Sequence, residues 1–358
     1  MAKRADIRTA GPSIADVARE AGVATSTVSR ALTIPGRIAE PTRLKVEAAA
    51  RKLGYTGGNQ TARNLRVGTP PTIMIVMPDE LYIGASQTVT EVLRVVASSL
   101  VERGFSLLIA NVSREAETDE HILTVALGGT VSGILLMATN VPEVNGRSLV
   151  EAGLPIVSLH FDLSRLGIPS VVSDDHDAIV AATKKLAALG HERFLYVRGR
   201  LGNYHDFERL RGVRDALSGI GLPETALRLS QGDYSFTGGI AAAQDFLQLP
   251  AESRPTAVIC ANDDTAIGFI KTVTDGGLTV PDDVSVIGFD GAAVGPFMTP
   301  PLSTVQQDTA ELGRRAANLI IDNVLGEHLS NEQRFEVPCT IVLRDSVGAP
   351  PVGPQPVR

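Results

Sequence analysis

Cysteine is scarce in this 358-residue chain, with Cys260 and Cys339 the only two. Neither stands in a C-x-x-C pair, which excludes a disulfide scaffold and the usual redox or zinc motifs. No apolar run approaches the roughly 20 residues of a membrane helix, so no membrane partner is expected. The stretch MAKRADIRTAGPSIADVAREAG carries basic residues but no apolar core of a secretory signal, which points to a reducing cytoplasm. His121, His160, His176, His191, His205 and His328 show no H-x-H or H-x-x-x-H spacing, so no metal is expected. No G-x-G-x-x-G follows an apolar run and no G-x-S-x-G occurs. A dinucleotide cofactor and a nucleophile elbow are therefore disfavoured, and with them an enzyme.

What is present is a large apolar content, 44%, enough for cores in two or three domains. The net charge of -7 hides an asymmetry. Residues 1–66 carry 12 Lys and Arg against 5 Asp and Glu, and the remainder carries 21 against 35. A small basic head on an acidic body suits a polyanion-binding head, or merely a solvated tail.

The pattern inside the head favours the first. Ser13 precedes Ile14, Val17, Ala18 and Ala21 at helical spacing, with Asp16 placed as in a capping box. Gly22 ends that helix. A second helix spans about Thr25 to Leu32, with Val28, Ala31 and Leu32 on one face and Ser26, Thr27, Ser29 and Arg30 on the other. A third runs from about Pro41 to Leu53. Two short helices about a glycine turn and then a third describe a helix-turn-helix, whose second helix enters the DNA major groove. An ordinary three-helix bundle has the same periodicity.

From residue 72 the chain alternates apolar runs with amphipathic helices. TIMIVMP, SLLIANV, GILLMAT and PIVSL form one set of strands, and RFLYVRG, TAVICAN and VSVIGFD a second. Helices at 87–104, 177–189, 208–217 and 237–247 lie between them. Continuous apolar strands between helices predict parallel sheets covered on both faces, hence two α/β lobes.

SIADVAREAGVATSTVSRAL followed by TRLKVEAAARKLGY closely resembles the head of the lactose-repressor/galactose-repressor (LacI/GalR) family of bacterial transcription regulators. The resemblance implies that Thr25 and Ser26 open the recognition helix and read bases, and that Thr27, Ser29 and Arg30 contact bases or phosphates. Ala24 stands where the family usually has a capping Ser, so Thr25 is expected to cap instead. Thr61-Ala62-Arg63-Asn64-Leu65-Arg66 resembles the hinge, with Leu65 as a minor-groove wedge and Arg63 near phosphate. It departs by one extra residue and by Gly57-Gly58 in place of a Pro.

ALGHERFLYV, ERLRGVRDAL, ICANDDTAIG, VSVIGFD and TPPLSTVQQD resemble the family's effector domain, a bilobed periplasmic-binding-protein-like core. The expected domains are 1–56 for DNA, 57–70 for the hinge, 71–346 for effector and dimer, and 347–358 as a disordered tail with four prolines. The chain should cross between lobes three times, with a helix near 310–325 in the first lobe and a strand near 335–343 in the second. A ligand should sit at the carboxyl ends of the strands.

By this resemblance Asn262 and Asp290 hydrogen-bond the ligand and Tyr234 stacks on it, with Asp79 and Tyr82 in a cleft-facing loop. Phe207 is expected where relatives carry a ligand-gripping Arg, His160 replaces an Asp, and Met137 replaces a polar residue. Those departures suggest a sugar-like ligand with an apolar or aromatic part. The implied protein is a repressor that binds palindromic double-stranded DNA as a homodimer and responds to a carbohydrate or glycoside-like effector. A solute receptor of the same core fold is the alternative.

Overall fold

The structure, a computed structural model, describes residues 14–33, 38–53, 71–78, 87–112, 116–327 and 333–351. The chain divides into two compact units between Pro71 and Thr72. In the first, α1 (Ile14–Ala21), α2 (Thr25–Thr33) and α3 (Glu40–Leu53) close around Val17, Ala18, Val28, Ala31, Val46, Ala49 and Ala50. Gly22 turns the chain at φ +66°, a conformation that glycine adopts without steric cost. Val23 N then donates to Ala18 O at 3.0 Å. Lys52 and Glu20, 2.6 Å apart, tie α3 to α1.

The second unit has two lobes. The first lobe contains β1 (Thr72–Pro78), α4 (Gln87–Glu102), β2 (Ser106–Val112), α5 (Ala116–Leu127), β3 (Gly133–Met137), a β4–β5 hairpin (Glu143–Val144, Arg147–Ser148), β6 (Ile156–Leu159) and β7 (Ser170–Ser173). The second contains α6 (Asp175–Ala188), β8 (Phe194–Val197), α7 (Tyr204–Gly219), β9 (Leu227–Ser230), α8 (Phe236–Leu247), β10 (Ala257–Cys260), α9 (Asp263–Asp275), β11 (Ser285–Asp290) and β12 (Ser303–Gln306). The chain returns to the first lobe as α10 (Thr309–Leu325) and β13 (Arg334–Val337), then ends in the second with β14 (Thr340–Val342).

The sheet orders are β13-β7-β6-β3-β1-β2 and β14-β12-β11-β10-β8-β9. Only β14 among these pairings is antiparallel. Side chains alternate across each sheet, so one strand feeds two cores. Ile73, Ile75 and Met77 of β1 meet α4 and α10, while Met74 and Val76 meet Ile122 and Ala126 of α5. In the second lobe Phe194 and Tyr196 pack with α6 and α7, and Leu195 and Val197 with α8 and α9. A Cβ on Gly239 would fall 2.1 Å from Thr265 O, and one on Gly268 2.1 Å from Phe236 O. Glycine at both points lets α8 and α9 touch backbone to backbone.

Two expectations need correction. The strand expected over 335–343 is two strands, β13 in the first lobe and β14 in the second, with Pro338 and Cys339 as the third crossover. Cys339 N donates to Asp174 Oδ1 at 2.7 Å, tying that crossover to the first one. The tail is not loose from residue 347. Gly348 N donates to Ser285 Oγ at 3.0 Å, its carbonyl lies 3.0 Å from His191 Nε2, and Pro350 covers Gly190. Proline forbids a helix there but not docking on an existing surface. Residues 352–358 of the expected tail lie outside the described residues.

Candidate recognition helix and ligand cleft

On α2, Thr25, Ser26 and Arg30 are exposed and Thr27 is half-buried, while Val28 and Ala31 face the core. Ala24 O accepts from Thr27 N at 2.9 Å and from Val28 N at 3.1 Å. Ala24 is therefore the cap residue and Thr25 the first helical one, so Thr25 does not cap. Its hydroxyl stays exposed, and the first-turn amides sit at the end of the helix that favours phosphate. Arg30 has no ion-pair partner among the described residues. The side chain of Ser29, and Arg63 and Leu65 of the hinge, lie outside the described residues, as do Asp79 and Tyr82.

The lobes face each other across a cleft lined by side chains of both. His160, Tyr234, Asn262 and Asp290 all line it, with Met137 at its apolar edge. Each follows or ends a strand. Four of the five described non-glycine residues with positive φ are here: Ala138 (52°), His160 (62°), Tyr234 (69°) and Asp290 (109°). Backbone held in sparsely populated regions marks places where side-chain direction is tightly imposed. Asp263 shows how: its Oδ2 accepts Gly291 N at 2.9 Å and Ala292 N at 2.6 Å, pinning the turn just after Asp290.

Phe207 is the expectation that fails. Its side chain is on the outer face of α7 with 63% of the residue exposed, and it does not line the cleft. The cation thought to be missing is present two residues later. Arg209 is 3% exposed and lines the cleft. Two residues turn a helix by about 200°, which separates solvent from core. The signal was available: Leu210, Val213 and Leu217 mark the buried stripe, and Arg209, not Phe207, adjoins it.

Arg209 organises the cleft floor. One guanidinium nitrogen donates to Ala261 O, another lies 3.4 Å from Asp175 Oδ1, and Asp290 Oδ1 is 3.9 Å away. Asp175 also accepts from Ser173 Oγ (2.8 Å) and pairs with His205 Nδ1 (2.5 Å). Burial alone would raise the Asp175 pKa, but Arg209 and His205 outweigh it and hold the carboxyl below its ordinary range. Burial and then the His205 charge push His160 down to about 3, so this imidazole is neutral. Burial raises Asp290, with Arg209 and Gln307 opposing. Gln307 Nε2 donates to Asp290 Oδ1 at 2.7 Å.

Two polar atoms at this floor have no hydrogen-bond partner although buried: Arg209 Nε and Gln307 Oε1. Buried polar atoms are normally satisfied. This orphan donor and orphan acceptor belong to the two side chains that face Asp290. Asn262 has a more structural part. It caps α9 by accepting Thr265 N (3.0 Å) and Thr265 Oγ1 (2.6 Å), and its Nδ2 donates to Tyr234 O (3.0 Å). Tyr234 packs against Gly199, where a Cβ would come 2.1 Å from the ring, and its hydroxyl donates to Asn203 Oδ1 at 3.0 Å. Arg209, His205 and Gln307 were not assigned to the cleft from sequence, and Asp175 stood out there only within the cluster Asp174, Asp175, His176 and Asp177. Asp175 lies in an acidic run that fits a helix start, yet its side chain turns inward.

A helix-turn-helix unit followed by a bilobed core with a polar cleft defines a ligand-responsive DNA-binding protein. Known proteins agree. The pattern of the bacterial regulatory proteins, lacI family, matches residues 13–57, and that of a periplasmic binding protein-like domain matches residues 183–347. The HTH-type transcriptional repressor CytR of Escherichia coli (strain K12) is 31% identical over 336 residues, covering 94% of this chain and 96% of CytR. Catabolite control protein A of Priestia megaterium is 31% identical over 308 residues, or 86% and 91%. Among solved structures, the Lac repressor dimer bound to operator and the anti-inducer ONPF superposes with a TM-score of 0.80 at 25% identity, covering 95% of this chain and all of that one. A transcriptional regulator CelR–cellobiose complex gives 0.68 at 28%, covering 94% and 99%. The chain belongs to the LacI family of bacterial regulatory proteins. It is a DNA-binding transcriptional regulator that responds to a small-molecule effector.

Proposed function

We propose that this regulator is a cytoplasmic repressor that holds a palindromic operator as a homodimer and changes its grip when a neutral, polyhydroxylated ligand enters the cleft. Thr25, Ser26, Thr27, Ser29 and Arg30 read or clamp DNA, with Arg63 and Leu65 acting from the hinge. One head reaches too few bases for specificity, and a two-fold dimer doubles the site. Arg209, Asp290, Gln307, His160 and Asn262 orient the ligand, Tyr234 stacks on it, and Asp79 and Tyr82 are further effector-binding residues. Phe207 has no part.

The carrying observation is the set of Arg209 Nε and Gln307 Oε1, both unpaired beside Asp290. A donor, an acceptor and a carboxylate at one spot match sugar hydroxyls, which both give and take hydrogen bonds. Arg209 already faces Asp175 and Asp290, so its charge is compensated and an anion gains little there. A cellobiose complex in a relative supports the same chemistry. The test is a thermal-shift screen of sugars, glycosides and nucleosides, since a binder stabilises the fold by mass action. Neutral glycosides should raise the melting temperature. A response confined to phosphorylated or carboxylated compounds would overturn the ligand class.

A further inference from the structure

Two dipeptides, one from each lobe, meet ring against ring across the cleft. His160 and Phe161 follow β6 of the first lobe, and Tyr204 and His205 open α7 of the second. The Phe161 and Tyr204 centroids are 5.4 Å apart at 39°, and those of His160 and His205 are 5.6 Å apart at 67°. Tyr204 and His205 are themselves edge-on at 5.5 Å. Both inner rings are fixed from outside the ladder. His205 Nδ1 is held by Asp175 Oδ2, and the Tyr204 hydroxyl accepts from Arg334, a first-lobe side chain that also grips Asp162 at 2.9 Å. His160 and His205 line the cleft, whereas Phe161 and Tyr204 do not.

We propose that Phe161 and Tyr204 are positioning residues, a cross-lobe clasp that sets how far the lobes close and thereby the spacing of His160 and His205 in the cleft. Aromatic pairs at such offsets attract beyond their buried area, so the closed arrangement is favoured before any ligand arrives. Ligand then shifts an equilibrium whose starting point the clasp has set. Closure is measurable without DNA or ligand, so failure of the repressor reading would leave the test intact.

The experiment is hydrogen–deuterium exchange on the full chain, read in the lobe opposite each substitution. Phe161→Ala should speed exchange in the segment 203–208, and Tyr204→Ala in 158–163, by about 3- to 10-fold. The double variant should exceed neither single one by much, because both remove the same contact. Phe161→Tyr and Tyr204→Phe, which keep the rings, should exchange within about 2-fold of the unaltered protein. Unchanged exchange across the cleft would overturn the clasp. So would faster exchange spread through β8 and β10 in Tyr204→Ala, which would mark loosening of the lobe rather than opening of the cleft.

Discussion

The guanidinium of Arg209 lies 3.5 Å over the ring of Phe289, sandwiched between that ring and the cleft. Phe289 and Asp290 are neighbours on β11, so one strand end supplies both the stacking surface and the opposing carboxylate. A long, flexible cation is thereby held still at the centre of the site.

Arg209→Ala should destabilise the fold by about 3–5 kcal/mol, because Asp175 remains buried without its cation. Phe207→Ala should change stability by less than about 0.5 kcal/mol, as an exposed substitution does. Urea unfolding of both variants checks the pair. A Phe207 variant that loses ligand binding while staying folded would restore it to the site.

His160 gives a pH signature. Its pKa is about 3 when folded and 6.5 in an ordinary environment. Between those values the unfolded chain takes up a proton that the fold refuses. Its contribution is complete above pH 6.5 and is lost as pH falls toward 3, about 2 kcal/mol by pH 5. His160→Gln should flatten stability over that window, read by denaturation at pH 5 and pH 7.5. An unaltered slope would mean that His160 titrates normally.

Gly199→Ala should act on Tyr234 at a distance in sequence of 35 residues, since its new Cβ falls where the ring lies. Ligand affinity should drop about 3- to 10-fold, as for Tyr234→Ala, because the stacking surface is displaced. Calorimetry with a hit from the thermal-shift screen reports it. Normal affinity in Gly199→Ala would show that the ligand does not use the ring.

Truncation after Pro351 should leave the melting temperature unchanged, whereas truncation after Ser346 should lower it by several degrees. Gly348 and Pro350 are stitched to Ser285, His191 and Gly190. Equal melting temperatures would mean that the docked segment adds nothing to stability.

Much of this was legible in sequence, for identifiable reasons. The apolar runs of β1, β3, β8, β10 and β11 are buried on both faces, so composition alone marks them. β9, Leu227–Ser230, is an edge strand with two exposed residues, and β7 and β12 are four-residue strands with polar ends. Local pattern cannot separate such strands from loops. Asn262 and Asp290 were named by the family resemblance, and their places at strand ends agree with their positions lining the cleft. Arg209 was missed because a charge in mid-helix reads as solvated, and only the third dimension shows Asp175 and Phe289 waiting for it. The linear resemblance had pointed to Phe207, two residues before the arginine that lines the cleft.

On the head, Arg30→Ala should weaken operator binding and lower the salt slope by about one, as the loss of one phosphate contact requires. Gel-shift titrations over a salt series would reveal this. An unchanged slope and affinity would remove Arg30 from the interface.

The most direct test of ligand-controlled DNA binding is operator affinity by fluorescence anisotropy, with and without a screened ligand, for the unaltered protein and Asp290→Ala. The ligand should change operator affinity at least about 5-fold in the unaltered protein, the low end of allosteric coupling. Asp290→Ala should bind operator normally without ligand and lose about 1.5–3 kcal/mol of ligand binding, so the same ligand concentration has little effect. An operator affinity that ignores the ligand, or an Asp290→Ala protein that responds in full, would contradict the account.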